Sequence, residues 1–380
     1  MDEAAAERRV ARLIARDFRN YAELDLAVGS KVVALVGENG AGKTNILEAI
    51  SLFTPGRGLR RAEFSGMARG QGPGGFAVSL TLDGAADGHR LGTGCEPPGH
   101  DGRVSRLCRV DGAPAPSPVA FAEHLRVVWL TPDLDALFRG PAGDRRRFLD
   151  RLVLAVDASH GQRVSAMERA LRSRNRLLED RAADERWLDA VEREVAELGV
   201  AVALARRETV ERLDRLIAQT RDDSAPFPWA GVRLEGDLDD LVAVWPAIEA
   251  EDRFRVALRQ GRHRDRAAGR SLIGPQTTDL VVRHGPKDVP AATASTGEQK
   301  ALLVGLVLAH ARLVRAMSGL APIILLDEVA AHLDPRRRGG LFEALEVLAG
   351  QVWMTGADEA LFAELEGRAD VVGICDGRVV

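Results

Sequence analysis

GENGAGKT, residues Gly37 to Thr44, has the spacing G-x-x-x-x-G-K-[ST]. Glycines so placed permit a tight turn whose backbone N–H groups converge on phosphate oxygens, and a helix starting directly after it adds its partial positive charge. The flanks agree, since the apolar run VVALVG leads in and NILEAISLF leaves with helical character. Candidate phosphate contacts are therefore Gly37, Glu38, Asn39, Gly40, Ala41, Gly42, Lys43, Thr44 and Asn45. Lys43 is placed to reach the β- and γ-phosphates of a nucleotide, and Thr44 to put its hydroxyl on Mg²⁺.

A phosphate loop of this kind needs a second group for the metal. IILLDE supplies it: Asp327 ends an apolar strand and can hold Mg²⁺ through water, while Glu328 can orient or deprotonate an attacking water. Lys43 and Glu328 are accordingly the candidate catalytic residues. The segment that follows, VAAHLDPRRR, contains His332, read as a surface or packed histidine rather than a catalyst.

STGEQKALL, residues 295–303, runs into an apolar helix pattern. Ser295 can cap that helix while Glu298 reaches back in a capping box. Gly297 is left without a reason, because glycine in a first helical turn costs about 1 kcal/mol relative to alanine. It would let a backbone or a phosphate approach closely, where helix N-terminal N–H groups attract anions.

The elements that must position these residues can be read coarsely. RLIARDF (12–18) and VVALVG (32–37) read as strands, and the glycine- and proline-dense stretch from 66 to 118 as an antiparallel sheet with mobile loops. PAGDRRRFLDRLV (141–153) opens a charged, helix-rich region in which Val191, Val195, Leu198 and Val202 mark one apolar helical face. A helix of about 25 residues is about 37 Å long, so two could form a short antiparallel arm. DDSAPFPWAG (222–231) closes that region, and PIILLDE reads as a buried parallel strand.

At 380 residues the chain has room for two domains or one with an insertion, and 46% hydrophobic with 28% charged residues suits a globular protein. A net charge of −4 gives no global attraction to polyanions, so any basic patch must be local. Lysine occurs only at Lys31, Lys43, Lys287 and Lys300, two of them inside the motifs above. Cys95, Cys108 and Cys375 lack the number and spacing of a disulfide framework or zinc site. No signal peptide is evident and no apolar run approaches the roughly 20 residues that span a bilayer, so the cytoplasm is the expected compartment and no membrane is expected.

In their order along the chain, these motifs resemble those of ABC-type ATPase heads, and most closely those of the RecF recombination-mediator family. ARDFRNYAELDL (15–26) is similar to that family's L-x-x-F-R-N-Y stretch, and GENGAGKTNILEAISLFTPGRGLR (37–60) to its extended P-loop helix and following turn. VVWLTPDLDALFRGPAGDRRRFLDRLV (127–153) resembles its P-x-D-L and R-R-x-F-L-D segment, while STGEQKAL and IILLDEVAAHLD stand at the signature and metal-site positions. Two departures stand out. Gln276 and Thr277 stand in place of the His-Arg pair of a G-P-H-R-x-D-L string whose x position is Thr278, and Met354 or Thr355 stands where transporter ATPases carry a switch histidine.

The resemblance implies an α/β fold, an ABC-type P-loop ATPase head with a mixed sheet and an antiparallel β subdomain. An inserted α-helical lobe with a short arm would complete it. Residues 1–140 would form the first part of ATPase lobe I, 141–290 the helical lobe II, and 291–380 the signature helix, Walker B strand and return to lobe I. It further implies ATP and Mg²⁺ as cofactors, weak hydrolysis used as a switch, and an ATP-dependent homodimer. In that dimer Ser295, Gly297 and Glu298 of one copy would meet the γ-phosphate held by the other, with Thr44 and Asp327 on the metal. DNA at single-strand gaps, RecO and RecR would be partners in loading RecA. Arg57, Arg60, Arg61, Arg145 and Arg146, and the run RQGRHRDRAAGR (259–270), are candidate DNA-backbone contacts with little sequence specificity. An ABC-transporter subunit or another SMC-like repair ATPase is the alternative. The first would call for a histidine switch, and the long-arm members of the second for a far longer insertion between Lys43 and Ser295.

Overall fold

Alternation of buried and exposed residues organises the N-terminal part. Strand β1 (Arg9–Phe18) buries Val10, Leu13 and Ala15, and a register shift between Val10 and Arg12 puts Val10 on the same face as the other two. It is followed by β2 (Tyr21–Ala27), β3 (Val32–Val36), α1 (Lys43–Ser51), β4 (Phe76–Asp83), β5 (Arg90–Cys95), β6 (Arg106–Val110), β7 (Ala113–Pro114) and β8 (Val127–Leu130). Six of these strands form an antiparallel sheet in the order β2-β1-β4-β5-β6-β7, the subdomain expected from the glycine-rich region. The computed structural model describes residues 7–84, 88–99, 104–180, 184–348 and 350–380, without the side chain of His332. Two of the stretches expected to be mobile loops thus include positions, 85–87 and 100–103, outside the described residues.

The chain divides into two compact units, the second being Ala136–Arg221 with Trp229–Gln299. It holds α2 (Ala142–Val156), α3 (His160–Glu179), α4 (Glu185–Gln219), β9 (Ala230–Glu235), α5 (Asp237–Val244), α6 (Ala247–Ala268), β10 (Asp279–His284) and β11 (Val289–Pro290). Helix α4 runs for 35 residues and packs on both α3 and α6. Val195 and Val202 are fully buried in the resulting core and Val191 and Leu198 pack beside them, so the four residues do share one face. Arg174 lies wholly buried between Glu192 at 3.0 Å and Asp265 at 2.6 Å, fixing the register of α3, α4 and α6. Removing one partner of so buried a group typically costs about 3–5 kcal/mol.

The first unit is Met1–Asp135, Asp222–Pro228 and Lys300–Val380. After α7 (Thr296–Ser318) come β12 (Ile323–Leu326), α8 (Pro335–Leu348), β13 (Gln351–Gly356), β14 (Ala369–Cys375) and β15 (Arg378–Val379). A second six-stranded sheet has the order β15-β14-β3-β13-β12-β8, parallel except for β15. All four residues of β12 are buried, as expected of a parallel strand covered on both faces. Trp353 is fully buried beside Leu35, Ile323 and Leu325, and its indole N–H donates to Gln351 at 2.9 Å. The Gln351 amide also bonds both backbone groups of Val10, joining β13 to β1.

The fold is that of an ABC-type ATPase head. One sequence expectation needs correction: α7 is long and apolar enough, by length and composition, to cross a membrane. Leu302, Leu303, Leu306, Val307 and Val314 are buried in protein, so the apolarity of α7 serves the core.

Candidate nucleotide-binding site

The loop between β3 and α1 depends on its glycines. Gly40 and Gly42 have φ of 87° and 119°, in the left-handed region that favours glycine. At Gly42 a Cβ would also lie 2.6 Å from the Asn20 amide nitrogen and 2.7 Å from the Tyr21 hydroxyl. Those two side chains hold the loop from outside: Asn20 donates to the Ala41 carbonyl at 3.0 Å, and Tyr21, the chain's only tyrosine, to the Gly42 carbonyl at 3.2 Å. Arg19 grips the buried carboxylate of Glu48 on α1 through two bonds of 2.7 and 2.6 Å. Burial raises the pKa of the Tyr21 phenol, which therefore stays a donor. Sequence reasoning matched this F-R-N-Y stretch to a family but assigned Asn20 and Tyr21 no role.

Helix α1 begins with no side-chain cap and no acid in its first turn, which leaves an electropositive helix start at the loop. Lys43, 4% exposed, donates to the Gly37 and Glu38 carbonyls at 2.5 and 2.8 Å. Burial lowers its pKa, opposed by the carboxylates of Glu328 and Asp327. Thr44 Oγ1 donates to Asp327 Oδ1 at 2.9 Å. A hydroxyl and a carboxylate oxygen in contact, both hard donors, suit Mg²⁺ held by one side chain directly and by another through water. Thr355, at the end of β13, donates to the same Asp327 oxygen at 2.8 Å and accepts the Glu328 N–H at 2.9 Å. Glu328 has φ of 55°, an uncommon conformation for a non-glycine residue.

In the second unit the STGEQ stretch forms the capping box. Ser295 N–H donates to Glu298 Oε2 at 3.0 Å, and Glu298 N–H to Ser295 Oγ at 3.4 Å. The Lys287 ammonium and the Ser295 N–H hold the Glu298 carboxyl at a pKa of about 2. Arg139 and Gln299 both donate to the Ala294 carbonyl, at 2.9 and 2.8 Å, fixing the turn before the helix. Around Gly297 an added Cβ would meet nothing within 4 Å, so packing gives no reason for glycine there. Lys300, in the first unit, pairs with Asp135 at 2.8 Å.

Most of the candidate DNA-contacting arginines have partners in the fold. Arg57 pairs with Glu63, and Arg60 reaches Asn45 at 2.6 Å and Glu48 at 3.2 Å. Arg61 is exposed with φ of 54°. Arg145 is bidentate on Asp279, both bonds 2.7 Å, and Arg146 donates to the Thr278 carbonyl at 2.9 Å. These two, with Arg206 on the Pro275 carbonyl at 2.6 Å, hold the 274–280 turn. Within it Gln276 donates to the Ile273 carbonyl at 2.8 Å and Thr277 to the Gly274 carbonyl at 2.7 Å, which accounts locally for both departures from the H-R pattern, while Thr278 donates to Asp239 at 2.6 Å. In the 259–270 run, Arg262 is bound by Glu192 and Asp189, and Arg266 by the Leu178 carbonyl.

A family model described as an AAA domain matches residues 12–76, the span from β1 through the loop to β4. The DNA replication and repair protein RecF of Mesorhizobium japonicum is 54% identical over 374 residues, which cover 98% of each chain. The chain belongs to the RecF family. The RecF proteins of Rhizobium meliloti and Brucella abortus are each 51% identical, over 97% of this chain and 98% and 95% of theirs. Among solved structures, the recombination mediator protein RecF-ATPrS in the RecFOR pathway superposes with a TM-score of 0.85 at 19% identity, over 99% of this chain and 98% of that one. RecF-ATP of the same pathway gives 0.81 at 20% identity, over 98% and 99%. The Smc head domain of Pyrococcus furiosus gives 0.51 at 16% identity, over 98% and 96%, in keeping with the ATPase-head fold common to RecF and SMC proteins.

Proposed function

We propose that this RecF-family chain is an ATP- and Mg²⁺-dependent DNA-binding protein whose nucleotide site is completed by a second copy of itself. The supporting observation is the convergence of Thr44, Asp327 and Thr355 through bonds of 2.9 and 2.8 Å, beside a loop carrying Lys43. The relatives' name, DNA replication and repair protein RecF, and the family's RecF-ATP structure agree with it.

In this reading Lys43 exchanges its two loop carbonyls for β- and γ-phosphate oxygens, and the N–H groups from Gly40 to Asn45 surround the phosphates. Thr44 and Asp327 hold the metal, which when bound neutralises charge developing on the phosphate oxygens. Glu328 orients the attacking water. Ser295, Gly297 and Glu298 of the second copy close over the γ-phosphate, where the open space at Gly297 admits it. Thr355 supplies a hydroxyl in place of a switch imidazole, which suits slow hydrolysis that releases DNA rather than a motor. The paired heads hold the DNA backbone with little sequence preference through Arg57, Arg60 and Arg61, with Arg145 and Arg146 as further candidates. The work is placed in the cytoplasm at single-strand gaps, with RecO and RecR, in loading RecA.

The decisive experiment is sedimentation of Glu328→Gln with saturating ATP and Mg²⁺. A trapped dimer is expected, and a monomer overturns the shared site. DNA binding to blunt duplex, single strand and gapped duplex, each with and without ATP and Mg²⁺, then tests the substrate.

A further inference from the structure

A concavity of the first unit lies away from the nucleotide loop, on the outer face of the antiparallel sheet, with a volume of about 520 Å³. Its floor is made of small residues in register: Ala77 opposite Gly94 and Ser79 opposite Gly92. Ile14 of β1 forms one wall and Leu107 of β6, 43% exposed, the other. The inner face of the same strands carries Leu13, Ala15, Val78, Leu80 and Leu91, all buried, so the trough follows from strand alternation with small residues on the solvent side.

Three exposed arginines, Arg16, Arg90 and Arg109, line this trough, and among the described residues no carboxylate does. In a chain of net charge −4 that is a local reversal of sign. Their internal contacts are weak or leave donors over. Arg16 lies 3.6 Å from Glu23 with both side chains about 70% exposed, Arg90 donates one bond to Ser79 at 3.2 Å, and Arg109 one to the Gly112 carbonyl at 3.2 Å. Exposed pairs of this kind contribute about 0–1 kcal/mol and yield readily to a phosphate.

The strand register sets their spacing. Arg109 faces Gly92, two residues along β5 from Arg90, which separates their Cα atoms by about 8 Å. Arg16 faces Ala77, Gly94 and then Leu107 across three strand spacings, about 16 Å from Arg109. Two cations a phosphate repeat apart at one end of a shallow apolar floor, with a third across it, match an extended strand whose sugars or bases lie on the floor.

We propose that this trough binds the backbone of single-stranded nucleic acid through Arg16, Arg90 and Arg109. The proposal rests on the DNA-binding reading above and names a surface for it other than the arginine clusters found in the sequence.

Labelled oligothymidylate and a blunt duplex, titrated by fluorescence anisotropy over a range of salt with ATP and Mg²⁺, provide the test. The triple variant Arg16→Ala/Arg90→Ala/Arg109→Ala should bind the single strand about tenfold or more weakly, with a salt slope lowered by about 2, since each single-strand phosphate contact contributes about 0.7. Gly92→Leu keeps every charge and fills the floor. A Cβ there meets only the Arg109 Cβ at 3.6 Å, so the strand tolerates it, and it should weaken single-strand binding in the same direction. ATP-driven pairing, read by sedimentation, should match wild type in both variants and shows that they fold. Wild-type affinity and slope in the triple variant overturn the trough while leaving the DNA-binding reading intact, and an equal loss on duplex overturns its single-strand assignment. Wild-type protein that binds no DNA removes both.

Discussion

Thr355 Oγ1 donates to Asp327 Oδ1 at 2.8 Å, and the same hydroxyl oxygen accepts the N–H of Glu328 at 2.9 Å. One side chain from β13 thus fixes both acids at the end of β12. Replacing it with valine leaves the Glu328 N–H without its acceptor and Asp327 one donor short. An unmatched buried group costs about 1–3 kcal/mol, so Thr355→Val should hydrolyse ATP roughly tenfold more slowly and need more Mg²⁺, whereas Thr355→Ser should stay close to wild type. Steady-state hydrolysis across a Mg²⁺ titration distinguishes them, and equal behaviour of the two variants would falsify the clamp.

Tyr21 and Asn20 act on the nucleotide loop from behind it, through the Gly42 and Ala41 carbonyls. Tyr21→Phe keeps the buried ring and removes one hydrogen bond, worth about 1 kcal/mol. Nucleotide affinity should fall about fivefold. Calorimetric titration with ATP measures this, and an unchanged affinity means the loop holds its shape without the phenol.

The capping box and the shared-site role of STGEQ part company under substitution. Ser295→Ala should cost about 1 kcal/mol of helix stability through the lost cap. Ser295→Arg puts bulk and charge where a second copy would close, and should abolish ATP-driven pairing while each P-loop still binds ATP. Sedimentation beside nucleotide binding reads both quantities, and pairing plus hydrolysis at wild-type levels in Ser295→Arg would reduce the segment to a helix cap.

Asp150 in the second unit is gripped by Arg206 through bonds of 2.8 and 2.9 Å and by His160 at 2.8 Å. Burial alone would raise its pKa, but His160 and Arg206 prevail and bring it to about 2. A carboxyl depressed from its unfolded value of about 3.9 stabilises the fold at neutral pH, and that contribution is lost as pH falls from about 4 to 2. The pair of values corresponds to about 2–3 kcal/mol. Asp150→Asn should therefore be less stable than wild type by about that amount at pH 7, with the gap narrowing steadily below about pH 4. Urea melts of both proteins at the two ends of that range check the sign, and a constant gap would contradict it.

Much of the candidate site was legible because its signals are local. Lys43 and Thr44 stand in one loop string, Asp327 and Glu328 in one strand end, and Ser295 and Glu298 at the three-residue spacing of a capping box that the structure forms. The parallel strand β12, the antiparallel subdomain and the apolar face of α4 follow from periodicity and turn residues in the same way. The apolar start of α7 was legible in STGEQKALL, but not that the helix has the length and composition of a membrane span, because His310, Arg312 and Arg315 interrupt its sequence; burial of Leu302, Leu306 and Val314 puts that apolar surface in the core.

The sequence by itself determined which residue types stand together in the loop string, at the strand end and in the capping box, and much of which strands and helices present them. The tertiary structure alone decided what holds those residues in place. Thr355 lies 28 positions from Asp327, and Asn20 and Tyr21 each 21 from the loop carbonyls they bind. The same holds for the small-residue trough, whose arginines come from three strands, β1, β5 and β6, that share one face only once the sheet has paired. Propensity and spacing act over a few residues, whereas these contacts exist only where hydrophobic burial has brought distant segments together.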